Sequence, residues 1–154
     1  MPPATYTEAP ALRDERISKH LAKSREYWLK CPSYLADGDL CQAGEKAWGA
    51  VAQMTKAVAT HRGWRHFLNA ELLAAVREIA DEANDSNHLR ESILIVRSMH
   101  PYSYETYLDR TTVESGLVRA ETLLETLWEL LPARHTGGAS FGKWLADALR
   151  SVDK

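Results

Sequence analysis

The segment GDLCQAGEKAWGAVAQMTKAVA constrains the fold more than any other stretch of the chain. Asp39 stands where a helix N-cap should be, with Gln42 three residues on as in a capping box. Leu40, Gly44, Ala47, Val51, Met54 and Val58 then recur at steps of three and four, which predicts one helix from Asp39 to about Thr60. Gly49 falls roughly 180° from that stripe, on the side of Gln42, Glu45, Gln53 and Lys56. A mid-helix glycine costs on the order of 1 kcal/mol relative to alanine, so something is expected to approach this face closely. A helix packed on two sides follows.

The remaining chain reads in the same period. A first helix is expected from near Leu12 to Cys31, with Ile17, Leu21, Ser24, Trp28 and Cys31 on one face and Pro32 interrupting it. Asn69 is placed to cap a third helix, with Glu71 in its first turn and Leu72, Val76, Ile79 and Ala83 facing inward. Asn84-Asp85-Ser86 separates it from a fourth, whose stripe of Leu89, Ile93 and Val96 continues to His100 before Pro101. The box Thr111-Thr-Val-Glu114 opens a fifth, along Val113, Leu117, Ala120, Leu124, Leu127 and Leu131, and Pro132 stops it. No segment alternates with period two, so the expected class is all-α: an antiparallel bundle of four to five helices plus a short C-terminal helix. Residues 1–11 are expected as a flexible lead-in, 12–132 as the bundle and 133–139 as a linker. Residues 140–154 are expected as an amphipathic helix that docks on the bundle or a neighbour through Phe141, Trp144, Leu145 and Leu149.

Composition removes several functions. The 154 residues carry 19 basic and 21 acidic side chains, which gives no strong positive field for nucleic acid. Two cysteines, Cys31 and Cys41, are too few for a disulfide framework and lack zinc-site spacing, so they read as ordinary buried or half-buried thiols in a reducing cytoplasm. No apolar run approaches the roughly 18–20 residues that span a bilayer, and MPPATYTEAP has no basic or apolar leader region, so membrane insertion and export are not expected. There is no H-E-x-x-H, no bundle-type Glu-x-x-His, no phosphate-binding or dinucleotide glycine pattern and no G-x-S-x-G elbow. Neither a metal nor a cofactor is expected.

Two segments carry a family resemblance. Gly38, Asp39, Gln42, Ala43, Glu45, Lys46, Trp48, Gly49 and Ala50 match G-D-x-x-Q-A-x-E-K-x-W-G-A, and His100, Tyr104 and Glu105 match part of L-H-x-N-F-Y-E. In the second motif Met99, Tyr102 and Ser103 replace the leucine, asparagine and phenylalanine. Over about Leu12 to Leu131 the chain resembles the archaeal PaREP family, itself similar to the HEPN group of small helical domains. The resemblance implies an antiparallel bundle, often dimeric, near domains associated with nucleotides, RNA cleavage or toxin–antitoxin pairs. RNA, a nucleotide, or a partner protein encoded nearby are the ligands and partners it brings into view. Ribonucleolytic HEPN domains use an arginine and a downstream histidine with four to six residues between them. Arg62 and Arg97 stand too close to His66 and His100 for that pattern, and Arg13 with His20 lies in the wrong helix, a match expected about once by chance.

Candidate site residues follow from both readings. His100, with Tyr104, is the candidate acid or base, against the plainer role of a histidine satisfying carbonyls at a helix end. Gln42, Glu45 and Lys46 form a polar face suited to a ligand or a dimer seam, against the plainer role of a solvated surface. Arg62, Trp64 and Arg65 interleave cations with an aromatic, a composition used for phosphate and base contacts, and Glu105 completes the ligand-binding set. Trp28, Trp48 and Trp128 are expected in the core or an interface. The leading expectation is a homodimeric binding or assembly module whose paired face includes the second helix. A metal-independent ribonuclease using His100 and a purely structural homo-oligomer are the alternatives.

Overall fold

The computed structural model describes residues 2–100 and 109–152, with side chains through residue 150. Among them are seven α-helices: α1 Pro10–Ala36, α2 Leu40–Arg62, α3 Asn69–Glu82, α4 Leu89–Ser98, α5 Arg110–Glu129, α6 Ala133–Thr136 and α7 Phe141–Val152. The result is the all-helical antiparallel bundle expected from the apolar period.

Helices α1 and α2 form its spine. A three-residue connection turns the chain back, and contacts then run in opposite directions along the two helices: Cys31 against Ala43, Ser24 against Ala50, His20 against Gln53. Small side chains let the backbones approach; the buried Ser24 hydroxyl donates directly to the Ala50 carbonyl at 2.7 Å. On its other sides α2 meets α3, α4 and α5, so Val51, Met54, Ala57 and Val58 are fully buried. The inward stripes expected for α3, α4 and α5 supply Leu72, Val76, Ile79, Leu89, Ile93, Val96, Leu124 and Leu127 to one core. At Gly116 a Cβ would sit 2.3 Å from the Met99 sulfur, so the glycine makes room for fully buried Met99.

Several boundaries differ from expectation. Helix α1 begins at Pro10, whose preset φ suits a first helical position, and it continues through Pro32 instead of ending at Cys31. Proline removes one intrahelical bond, but its ring is exposed, and Asp37 N–H to Ser33 O and Asp39 N–H to Tyr34 O hold the final turns at 3.0 and 2.9 Å. Asn69 does not cap α3. Leu68 occupies that position, and Glu71 reaches back to accept from the Phe67 and Leu68 amides, both at 3.0 Å. Helix α5 opens at Arg110, capped by Asp109, which accepts from the Thr112 amide at 2.7 Å, so the Thr111 box is not its cap.

At the termini, Thr5 bridges Trp64, the Tyr6 amide donates to Gly63 O, and the Arg65 amide donates to Ala4 O. The stretch between Leu131 and Phe141 contains the short α6, ended by Gly137 and Gly138 at φ +67° and +76°, a left-handed geometry that glycine enters freely. Helix α7 then docks on the bundle: Phe141 is buried, and Trp144 stacks on Trp128 at 4.4 Å between ring centroids, with the Arg25 guanidinium over its ring at 5.0 Å. No helix among the described residues is long and apolar enough to cross a membrane.

Candidate functional site

The expected polar residues separate to the two ends of α2, about 25 Å apart at 1.5 Å rise per residue. Near its N-terminus, Tyr27, Glu45, Lys46, Trp48, Gly49 and His100 line a surface pocket of about 200 Å³. Helix α1 supplies Tyr27, the first turns of α2 supply the next four, and His100 arrives from the turn after α4. That turn is pinned by buried Met99, and the His100 amide donates to Arg97 O at 3.0 Å.

Glycine 49 explains the shape. A Cβ there would lie 3.0 Å from Tyr27 Cδ2, tighter than ordinary contact. The close approach anticipated from this mid-helix glycine is therefore real, and it is made by the tyrosine ring of the same chain. The ring lies under Lys46 and Lys23, whose ammonium nitrogens are 5.0 and 5.3 Å from its centroid. Across the pocket His100 Nδ1 is 3.6 Å from Glu45 Oε1, with both side chains about one-third exposed. That separation is too long for a hydrogen bond and becomes an ion pair when the imidazole is protonated. The pocket thus joins a cation, a carboxylate, an imidazole and an aromatic face within a space smaller than the roughly 300–1,000 Å³ typical of whole-ligand pockets. One charged or planar group fits it better than an entire nucleotide.

Of the sequence-derived candidates, Glu45, Lys46 and His100 come together here. Gln42 is half-buried in the same first turn of α2 without lining the pocket. Tyr104 and Glu105 lie outside the described residues. Tyr27 was not among the candidates, because it lies off the buried stripe of α1. The only trace of it in the sequence is Gly49, which calls for a large neighbour without saying which.

Arg62, Trp64 and Arg65 occupy the far end of α2 and are engaged within the chain. Arg62 Nη1 donates to both Glu82 carboxylate oxygens at 2.7 and 2.8 Å, and its guanidinium lies over Trp64 at 4.9 Å. Arg65 Nε donates to Glu71 at 2.9 Å and its guanidinium covers Phe67 at 5.5 Å. Buried His66 holds the loop's interior, with Nδ1 at 3.0 Å from Trp64 O and its ring edge-on to Tyr6 and His20. Burial lowers the pKa of both His66 and His20, only partly opposed by the Trp64 carbonyl and the Gln53 side chain respectively.

The remaining chemistry is quiet. The buried Cys31 thiol is pushed up to about 12 by desolvation and is unreactive, whereas Cys41 is exposed, not half-buried as expected. Among the described residues no group of three or more His, Cys, Asp or Glu side chains is placed to hold a metal.

No curated protein and no solved structure matches the chain. The profile of the archaeal PaREP1/PaREP8 family matches residues 19–124, a span narrower than Leu12 to Leu131 but enclosing every residue of the Tyr27–His100 pocket. On that match, covering well over half its length, the chain belongs to the archaeal PaREP1/PaREP8 family.

Proposed function

We propose that this protein is a binding module whose ligand site is the pocket between Tyr27, Glu45, Lys46 and His100, and that its ligand is a nucleotide or an RNA end. The observation that carries the reading is the convergence of His100 with Glu45 and Lys46, residues far apart in sequence, on one opening floored by an aromatic ring. The pocket grips one group of that ligand, a phosphate on Lys46 or a base edge between Glu45 and the Tyr27 ring, and the rest of the ligand lies outside it. The HEPN-like relationship belongs to the same proposal and supplies its ligand class.

A second reading is favoured by the carboxylate beside the imidazole. In a metal-independent ribonuclease, His100 would take the proton of a 2′-hydroxyl whose oxygen attacks the adjacent phosphorus. The 5′-oxygen leaves with a proton from water, and Glu45 stabilises the imidazolium formed. Tyr104 was expected to assist this step.

Fluorescence-anisotropy titration of labelled RNA and of a nucleoside monophosphate tests the binding reading, repeated with Lys46→Met. Affinity at least fivefold weaker in the variant supports it, and equal affinity, or no binding to wild type, removes it. Incubating labelled RNA with wild type and His100→Ala tests the second: cleavage that survives in the variant rules out His100 as the base. The protein is further proposed to self-associate as a homodimer. An apolar groove of about 230 Å³ along Trp28, Pro32, Leu35, Leu117 and the 65 % exposed Val118 favours a seam on α1 and α5 instead of the α2 face expected from the sequence, and light scattering of wild type against Val118→Lys tests it.

A further inference from the structure

Where the start of α1, the end of α2 and the short α6 meet, the chain gathers Arg13, Asp14, His61, Arg62, Arg134 and His135. Three buried side-chain nitrogens without a hydrogen-bond partner among the described residues gather in this corner: Arg13 Nε, His61 Nδ1 and His135 Nε2. The His61 and His135 rings meet edge-on at 5.9 Å, and the His135 side chain is only 5 % exposed. A lone carboxylate answers these groups. Asp14 Oδ1 stands 3.7 Å from both Arg134 Nη2 and His135 Nε2, beyond hydrogen-bond range of either.

Leaving buried polar nitrogens unmatched is unfavourable, and three in one place is a concentration that folding alone does not call for. Arg62 pairs with Glu82, so it adds positive field without donating to the groups gathered here. We infer that this corner is a second ligand site, one that takes a phosphate, free or as an ester, between the Arg13 guanidinium and the His61 and His135 imidazoles. Oxygens around a tetrahedral centre would offer acceptors to all three nitrogens at once, which a planar carboxylate matches poorly. Burial first and neighbouring basic groups next hold both imidazoles below their ordinary pKa; at His61 these are His135, Arg134, Arg62 and Arg13, and at His135 Arg134. The site stands apart from the Tyr27–His100 pocket, and Arg13, Arg134 and His135 lie outside the span matched by the family profile.

The test is an NMR titration of the whole chain with inorganic phosphate, read at the histidine ring protons and assigned by single substitutions, with sodium chloride at equal ionic strength as the reference. Saturable shifts at His61 and His135 are expected, with exposed His88 still. Affinity should fall at least tenfold in Arg13→Gln and severalfold in Arg134→Gln, whose half-exposed side chain keeps the test available if the first variant misfolds. Adenosine monophosphate and a short RNA, run as parallel arms, separate a free ion from an ester as the ligand. Shifts no larger than those from chloride, or affinity unchanged in both variants, overturn the site. Acetate bound as tightly as phosphate overturns the tetrahedral assignment. Phosphate moving His100 and leaving His61 and His135 still assigns the ion to the other pocket and also overturns it.

Discussion

The two ends of α2 present similar residue types and put them to opposite uses. At the C-terminal end, His61 to Phe67 looks in sequence like a phosphate-binding loop, yet Arg62 and Arg65 each spend their charge on a carboxylate and their flat face on an aromatic of the same chain. At the N-terminal end, Glu45, Lys46 and His100 look like ordinary helix-surface and helix-end residues, yet they stand around one opening. Composition therefore misleads for Arg62 and Arg65 at one end and understates at the other. What separates the ends is where the packed helices bring each charge, onto a carboxylate and an aromatic of the same chain at one end and around a shared opening at the other, and that depends on helix register, which composition does not encode.

The largest expected effect tests whether the pocket end is held by the core. Met99→Ala removes a fully buried side chain packed into the Gly116 notch, directly before His100. A loss of about 2–5 kcal/mol in chemical denaturation is expected. A loss below about 1 kcal/mol would mean that the end of α4, and His100 with it, is positioned by something else.

At the other end the expected change is smaller. Arg62→Ala gives up a surface ion pair and a cation–π contact, together about 1 kcal/mol of stability. RNA or nucleotide affinity at the Tyr27 pocket should not move. A fivefold drop in affinity with little loss of stability would restore the loop as a binding surface and erase the contrast between the ends.

The apolar period made the bundle legible: Ile17, Leu21, Val51, Met54, Val76, Ile93, Val96, Leu124 and Leu127 all lie in the core where their spacing put them. Caps were less legible, since Asp109 and the backward reach of Glu71 compete with nearby Thr111 and Asn69, and only the backbone path decides between them. Of the site, Glu45, Lys46 and His100 could be named in advance because a mid-helix glycine and a helix-end histidine are locally unusual. Tyr27 could not, because nothing in α1 distinguishes it until Gly49 is brought opposite.

The same loop gives a pH dependence. Half-buried His20 lies edge-on to buried His66, and each has its folded pKa held below the ordinary value of about 6.5. The unfolded chain therefore binds more protons as pH falls through that value, so stability is fully present above it and declines below. Urea midpoints should drop steadily from pH 7.5 to pH 5, and the slope should flatten in His20→Gln. An unchanged slope in that variant would place the acid sensitivity on other groups.

The smallest expected stability change is the sharpest test of the pocket. Gly49→Ala gains about 1 kcal/mol of helix propensity, but the added methyl meets the Tyr27 ring at 3.0 Å and the ring must give by a few tenths of an ångström. These terms oppose each other, so the denaturation midpoint should move by less than about 1 kcal/mol in either direction. The consequence falls on geometry: Tyr27 is pushed off α2, and with it the aromatic floor beneath Lys46. If the pocket binds its ligand through that floor, affinity should fall several-fold while stability stays nearly constant. Unchanged affinity would show that Gly49 serves only the packing of α1 on α2 and that Tyr27 is a structural residue. A large loss of stability would show that the ring has no room to yield, making the contact between Tyr27 and Gly49 part of the bundle's spine.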